Sequence, residues 1–245
     1  MTDPAAQAAA LKGLHHNGSP LILPNAWDAA SARLVAEHGF PAVATTSAGV
    51  AAALGYDDGE NVPVAEMLAA VRRISRRVEV PVTADLESGY GLAPTDLVEA
   101  LLEAGAVGLN VEDTDHAAGG LRDAGEQADR IAAIKAAGRT AGVDIVLNAR
   151  VDVFLSGGAV EDGLARARRY AAAGADCVYP IFLADAAAIG RFVAEAGVPV
   201  NVMLHPKAPD LARLAELRVA RVSLGRGLEQ AGAAGITAKL ETLKL

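Results

Sequence analysis

Cysteine is nearly absent from this sequence of 245 residues. The single Cys177 excludes a disulfide within the chain and fits a reducing compartment, so a cytoplasmic location is expected. It stands in "ADCVYPIF", an apolar run that reads as a strand, and a core thiol is expected there rather than a nucleophile. Positive charge is also short, with 22 basic residues against 30 acidic ones and a net charge of −8. That balance argues against nucleic acid or an anionic membrane as a partner, because both need a basic face. No apolar run approaches the roughly 18 residues of a membrane helix. The opening "MTDPAAQAAALKGLHH" lacks the basic-then-apolar order of a secretory signal. Aromatic residues are scarce at 4%, yet hydrophobic residues reach 52%, so the core is mainly aliphatic. A chain of this length buries about three-quarters of its unfolded surface on folding.

What is present is a rhythm. "RLVAEHGFPAVATTS", "EALLEAGAVGLNVED", "RRYAAAGADCVYPIF" and "RFVAEAGVPVNVML" each read as a helix, a glycine and a short apolar strand. Gly39, Gly105, Gly174 and Gly197 are placed to end those helices in the left-handed conformation. Strands are expected at 21–25, 42–47, 80–86, 108–113, 145–152, 177–182, 198–203 and 221–225. Between them lie helical patterns, clearest over 63–78, where Val64, Met67, Leu68, Val71, Ile74 and Val78 share a face behind Pro63. The arginines of "RRISRR" (72–77) read as the solvated face of that helix. Continuous apolar strands alternating with helices imply a parallel sheet covered by helices. Eight such units without a composition break predict one (β/α)8 TIM barrel over 1–245. The competing doubly wound sheet usually carries G-x-G-x-x-G after its first strand, and "LPNAWDAAS" has none.

In such a barrel the active site lies at the C-terminal ends of the strands. Polar residues collect there: Asn25, Ser47, Asp85 and Glu87, Glu112 and Asp113, Asn148, Arg150 and Asp152, and His205. In "PVTADLESGYG" the carboxylates of Asp85 and Glu87 alternate, as if on one side of a strand end. Two like charges in an apolar setting raise each other's pKa, and a hard divalent cation relieves them. Mg2+ suits a few carboxylates with retained waters, whereas no Cys/His spacing suggests zinc. Arg150 is the natural two-point clamp for an anionic substrate. Plainer roles stand beside these: Asp85 and Glu87 as helix caps or partners of Arg150, Arg150 as a structural ion pair, His205 as a loop residue. His15, His16 and His38 fall away from the mouth, and surface positions are expected for them.

Four segments, "TTSAGVAAALGYDD", "TADLESGYG", "NVEDT" and "NARVD", occur in the order and at separations that resemble the isocitrate lyase/phosphoenolpyruvate mutase superfamily. The resemblance covers most of the chain and implies a (β/α)8 barrel that binds Mg2+ or Mn2+ and a small 2-oxo or 2-hydroxy carboxylate. It further implies cleavage or formation of a bond to C3 of a pyruvate unit through a metal-stabilised enolate. By position, Asp85 is implied as the direct metal ligand and substrate contact, with Asp58, Glu87 and Glu112 holding the metal through waters. Ser47 and the amide of Ala48 are implied to take the substrate carboxylate and enolate oxygen, with Arg150 on the carboxylate. His205 is a further candidate for substrate binding. A homodimer or homotetramer is implied as well.

The departures from the family are informative. Glu87 stands where an aspartate is common, and the loop after the fourth strand, about 113–127, lacks both the Lys-Lys-Cys-Gly-His signature of the isocitrate-type lyases and the asparagine of phosphonomutases. Gly119 and Gly120 suit that loop to a mobile lid, and His116 is its candidate acid–base residue. The leading expectation is a Mg2+-dependent lyase acting on a small 2-oxo acid, in the manner of an oxaloacetate decarboxylase. The alternatives are a phosphonomutase or C–P hydrolase and a carboxylate-binding barrel without turnover. A Schiff-base aldolase is disfavoured, since of five lysines only Lys207 follows a strand closely.

Overall fold

The structure, a computed structural model, describes residues 3–244. Its strands are Leu21–Leu23 (β1), Asn25–Ala26 (β2), Val43–Thr45 (β3), Val82–Asp85 (β4) and Gly108–Glu112 (β5). Val146–Val151 (β6), Cys177–Pro180 (β7), Asn201–Met203 (β8) and Arg221–Ser223 (β9) complete the set. All ladders are parallel, in the orders β2-β3-β4-β5-β6-β7 and β1-β9-β8. β1 and β2 are one strand interrupted at Pro24, which has no amide hydrogen to give to a ladder. One half pairs with β9 and the other with β3, and a bridge between Val178 and Val200 joins β7 to β8. The eight strands therefore close into the expected barrel, within about three residues of every expected boundary.

The helices follow the rhythm of the sequence. The glycines at 39, 105, 174 and 197 have φ between 79° and 104°, the left-handed backbone that stops a helix and turns the chain into the next strand. Helix Val64–Ser75 buries Met67, Val71 and Ile74 completely and leaves Arg72, Arg73, Arg76 and Arg77 in solvent. No described helix is long and apolar enough to cross a membrane.

One helix outside the rhythm shapes the barrel floor. Pro4–Leu14 (α1), capped by Asp3, drives the fully buried Leu11 against Gly108, where an added Cβ would stand 2.7 Å from the leucine methyl. His15, at its end, is 5% exposed and bonds to the Leu11 carbonyl through Nδ1 at 2.9 Å, which corrects the surface position expected for it. His16 and His38 are exposed as expected. Around the floor Lys12 and the buried Lys135 share the carboxylates of Asp144 and Asp176 at 2.7–2.9 Å. Cys177 is fully buried, and burial pushes its thiol up to about 12, so it is the inert core residue expected.

The barrel waist is polar, where (β/α)8 interiors are usually filled with Val, Ile and Leu. Asn148 donates to Asn110 Oδ1 at 2.9 Å, and the fully buried Arg221 reaches the same oxygen at 3.4 Å. Since β5 and β9 are not neighbours, that second bond crosses the lumen. At the other end of the chain, Gly227–Glu241 (α2) buries none of its residues, and Ile236 and Leu240 are 64% and 56% exposed.

Candidate active site at the barrel mouth

β4 stops at Asp85, and the next residues do not continue its alternation. Glu87, Gly89, Tyr90 and Gly91 all have positive φ, from 51° to 102°. Glu87 thus enters the site from a tight turn and not from the strand side that its spacing suggested. Left-handed backbone at a residue with a side chain costs about 1–3 kcal/mol and persists only where the surroundings enforce it. The enforcement is visible. Glu87 accepts from the Tyr90 hydroxyl at 2.7 Å and from the Glu60 amide at 2.6 Å. Glu60, itself at φ 60°, accepts in return from Ser88 Oγ at 2.7 Å and the Tyr90 amide at 2.6 Å. Nothing in the sequence announced Glu60 as part of the site. Its role depends on the 55–61 loop folding back over the turn.

Asp85 is held from β3's side. The amide and hydroxyl of Ser47, the first residue of helix Ser47–Leu54, donate to its Oδ2 at 3.1 and 3.0 Å. Its Oδ1 is buried with no hydrogen-bond partner. Ala48 is the second residue of the same helix, so its amide is a first-turn donor without an intrahelical acceptor. Asp58 lies more exposed, within electrostatic reach of Asp85.

The electrostatics report crowding of negative charge. Desolvation, then the charge of Asp85, lifts the Asp58 carboxyl above its usual range. Glu87 is lifted by desolvation and by Asp58 and Asp85, against the bonds from Tyr90 and Glu60. Glu112, 2% exposed at the end of β5, is raised by burial although Arg150 and His116 oppose it. An orphaned buried carboxylate oxygen among mutually repelling acids fits a divalent cation held by Asp85, Glu87 and Glu112.

Arg150 is placed differently from the two-point clamp expected. Its Nε and Nη2 form their fork with Asp152, at 2.6 and 2.8 Å, and Nη2 also meets Glu112 at 2.5 Å. The reason is local: β6 passes directly into a 3-10 turn at Asp152–Ser156, which swings the Asp152 carboxylate back onto the residue two before it. Only Nη1 takes no part in these contacts, so the arginine offers a substrate positive charge and one nitrogen. Thr114 Oγ1 also donates to Asp152, at 2.5 Å.

His116 closes the far side, its Nε2 2.6 Å from Glu112 Oε1 and 3.7 Å from Glu87 Oε2. The bond to Glu112 raises its pKa. The loop that carries it is a folded hairpin in which Thr114 bridges to Leu121 and the Asp115 amide donates to Gly120 O at 2.9 Å. Its base is fixed by the buried Asp113, which accepts from the Tyr170 hydroxyl, Arg166 and the Asp152 amide. The loop ends at Asp123, which caps helix Ala124–Thr140, four residues before the expected limit. His205 is not drawn into this cluster. It packs edge-on against Phe182, with ring centroids 5.8 Å apart, and its Nδ1 accepts from the Lys207 amide.

The phosphoenolpyruvate phosphomutase family matches residues 11–244. The chain belongs to this family. Among phosphomutase-family relatives, an oxaloacetate decarboxylase of Rhodopseudomonas palustris is 31% identical over 82% of the chain and 73% of the relative. A 2-methylisocitrate lyase of Salmonella typhimurium is 30% identical over 84% of the chain and 73% of its own length. A solved phosphonomutase-like protein of Burkholderia cenocepacia superposes with a TM-score of 0.92 at 42% identity, covering 99% of this chain and all of that one. A 2,3-dimethylmalate lyase of the PEP mutase/isocitrate lyase superfamily gives 0.87 at 27% identity, over 97% of this chain and 87% of that one. These named relatives are lyases, a decarboxylase and a phosphonomutase-like protein.

Proposed function

We propose that this family member is a divalent-metal-dependent lyase that breaks a carbon–carbon bond in a small 2-oxo or 2-hydroxy carboxylate, an oxaloacetate-like acid being the favoured substrate. The observation that supports it is the buried, unpartnered Oδ1 of Asp85 beside Asp58, Glu87 and Glu112. Mg2+ or Mn2+ held there supplies Lewis-acid stabilisation to a developing negative charge on the substrate oxygen. The first-turn amide of Ala48 binds the substrate carboxylate at a helix N-terminus, beside Ser47, whose amide and hydroxyl hold Asp85. Arg150 adds its charge through Nη1. The 113–123 hairpin, seated with His116 on Glu112, excludes water from the mouth.

The leaving fragment decides the substrate. The loop offers no cysteine, and its histidine is engaged with Glu112. Carbon dioxide departs neutral and needs no strong acid, so decarboxylation suits this mouth better than isocitrate cleavage. The test follows pyruvate release from oxaloacetate, substituted malates and 2-methylisocitrate, and glyoxylate release from isocitrate, with Mg2+ or Mn2+, repeated after EDTA. Turnover of a small oxo acid that EDTA abolishes is the expected result. Robust isocitrate cleavage would overturn it. A phosphonomutase reading draws on the 42% identity to the Burkholderia protein, and phosphorus NMR of phosphonopyruvate incubations separates the two.

A further inference from the structure

We propose that His116 is itself a metal ligand through Nε2, so that this mouth prefers a first-row transition cation to Mg2+. The inference rests on the metal-dependent reading above and adds a nitrogen to a site otherwise built of oxygen. Glu87, Glu112 and His116 each present one donor atom, and the three atoms lie within 4.8 Å of one another. Both glutamates are 2% exposed, and the histidine side chain is 21% exposed. Ligands about 2.1 Å from one metal stand about 3.0–3.5 Å apart at right-angled or tetrahedral positions. The observed 2.6 Å from Nε2 to Glu112 and 3.7 Å to Glu87 bracket that range.

The imidazole is also aimed. Asp115 accepts from the Ala117 and Ala118 amides, which turns the loop so that His116 points back towards β5. The ring packs against Gly59, whose φ of 93° suits glycine. Glu112, four residues before His116, is fixed by Arg150, and Glu87 by Tyr90 and Glu60. Oxygen ligands alone favour Mg2+, Ca2+ or Mn2+, whereas imidazole favours the later first-row ions, for which affinity rises from Mn2+ to Cu2+.

The experiment titrates the EDTA-dialysed full chain with Co2+ and with Mg2+, read by calorimetry and by the visible absorption of bound Co2+. His116→Ala and His116→Gln are carried in parallel, with circular dichroism to confirm folding. The parent is expected to bind Co2+ at least ~10-fold more tightly than Mg2+. Each variant is expected to lose ~10-fold or more in Co2+ affinity, to change the Co2+ spectrum, and to keep Mg2+ affinity within about 2-fold. Equal Co2+ affinity and an unchanged spectrum in both variants would overturn the role of His116 while leaving the metal-dependent reading intact. Failure of the parent to bind either ion would overturn both.

Discussion

At Asp85 one carboxylate oxygen takes two donors from Ser47 and the other takes none. Removing this side chain removes the central ligand of the proposed metal site. Asp85→Ala should abolish turnover and reduce Mn2+ affinity, measured by calorimetry, to the level of non-specific binding. Glu87→Ala leaves Asp85, Glu112 and His116 in place and should cost about 10–100-fold in affinity. Equal metal affinity in Asp85→Ala and the parent would remove the metal site. Arg150 makes a second case. Because its fork is spent on Asp152 and Glu112, Arg150→Lys should both weaken substrate binding and loosen Glu112. A raised KM with a second, smaller loss of metal affinity is expected. A change in KM alone would mean that the fork turns to the substrate. The sequence disclosed Asp85, Glu112 and Arg150 because strand ends in a barrel converge whatever the loops do. It did not disclose Glu60 or the Arg150–Asp152 fork, which depend on how a loop and a 3-10 turn double back.

Among the elements, α1 was the least legible, because nothing in an alanine-rich helix says that it seals the barrel floor. Its effect is measurable through His15, whose pKa is lowered to about 4, first by burial and then by the charge of Arg221. In the unfolded chain a histidine takes up its proton near pH 6.5, but the folded chain resists until about pH 4. Between those limits the unfolded state binds more protons, so stability falls as pH falls, by up to about 3 kcal/mol from this group. His15→Gln should therefore lose less thermal stability than the parent on acidification from pH 7 to 4. Parallel melting curves across that range would refute the assignment. The strands were legible for the opposite reason: a parallel strand covered on both faces reads as a mainly apolar run, as β5 does, buried at all five positions and broken only by Asn110 and Glu112. The turn after β4 was not legible, since left-handed backbone at Glu87 and Tyr90 comes from their hydrogen bonds and not from glycine.

For the whole molecule, α2 is the element that the barrel does not explain. Fifteen residues long, it buries none of them and exposes Ile236 and Leu240. We expect these side chains to be covered by another copy of the chain, giving a homodimer or homotetramer by light scattering at micromolar concentration. The melting temperature should then rise with protein concentration, and the double variant Ile236→Lys, Leu240→Lys should dissociate the assembly. A monomeric parent with a concentration-independent melting point would overturn this. The acidic mouth has a different consequence, for the order of events. Asp58, Asp85, Glu87 and Glu112 share one opening in a chain of net charge −8, so an approaching carboxylate meets a repulsive field until a cation has entered. Addition should therefore be compulsory-ordered, metal before acid. Calorimetry should detect no heat when oxaloacetate or its unreactive analogue oxalate is injected into the metal-free chain. The same injection should give a clear binding isotherm once Mn2+ is present.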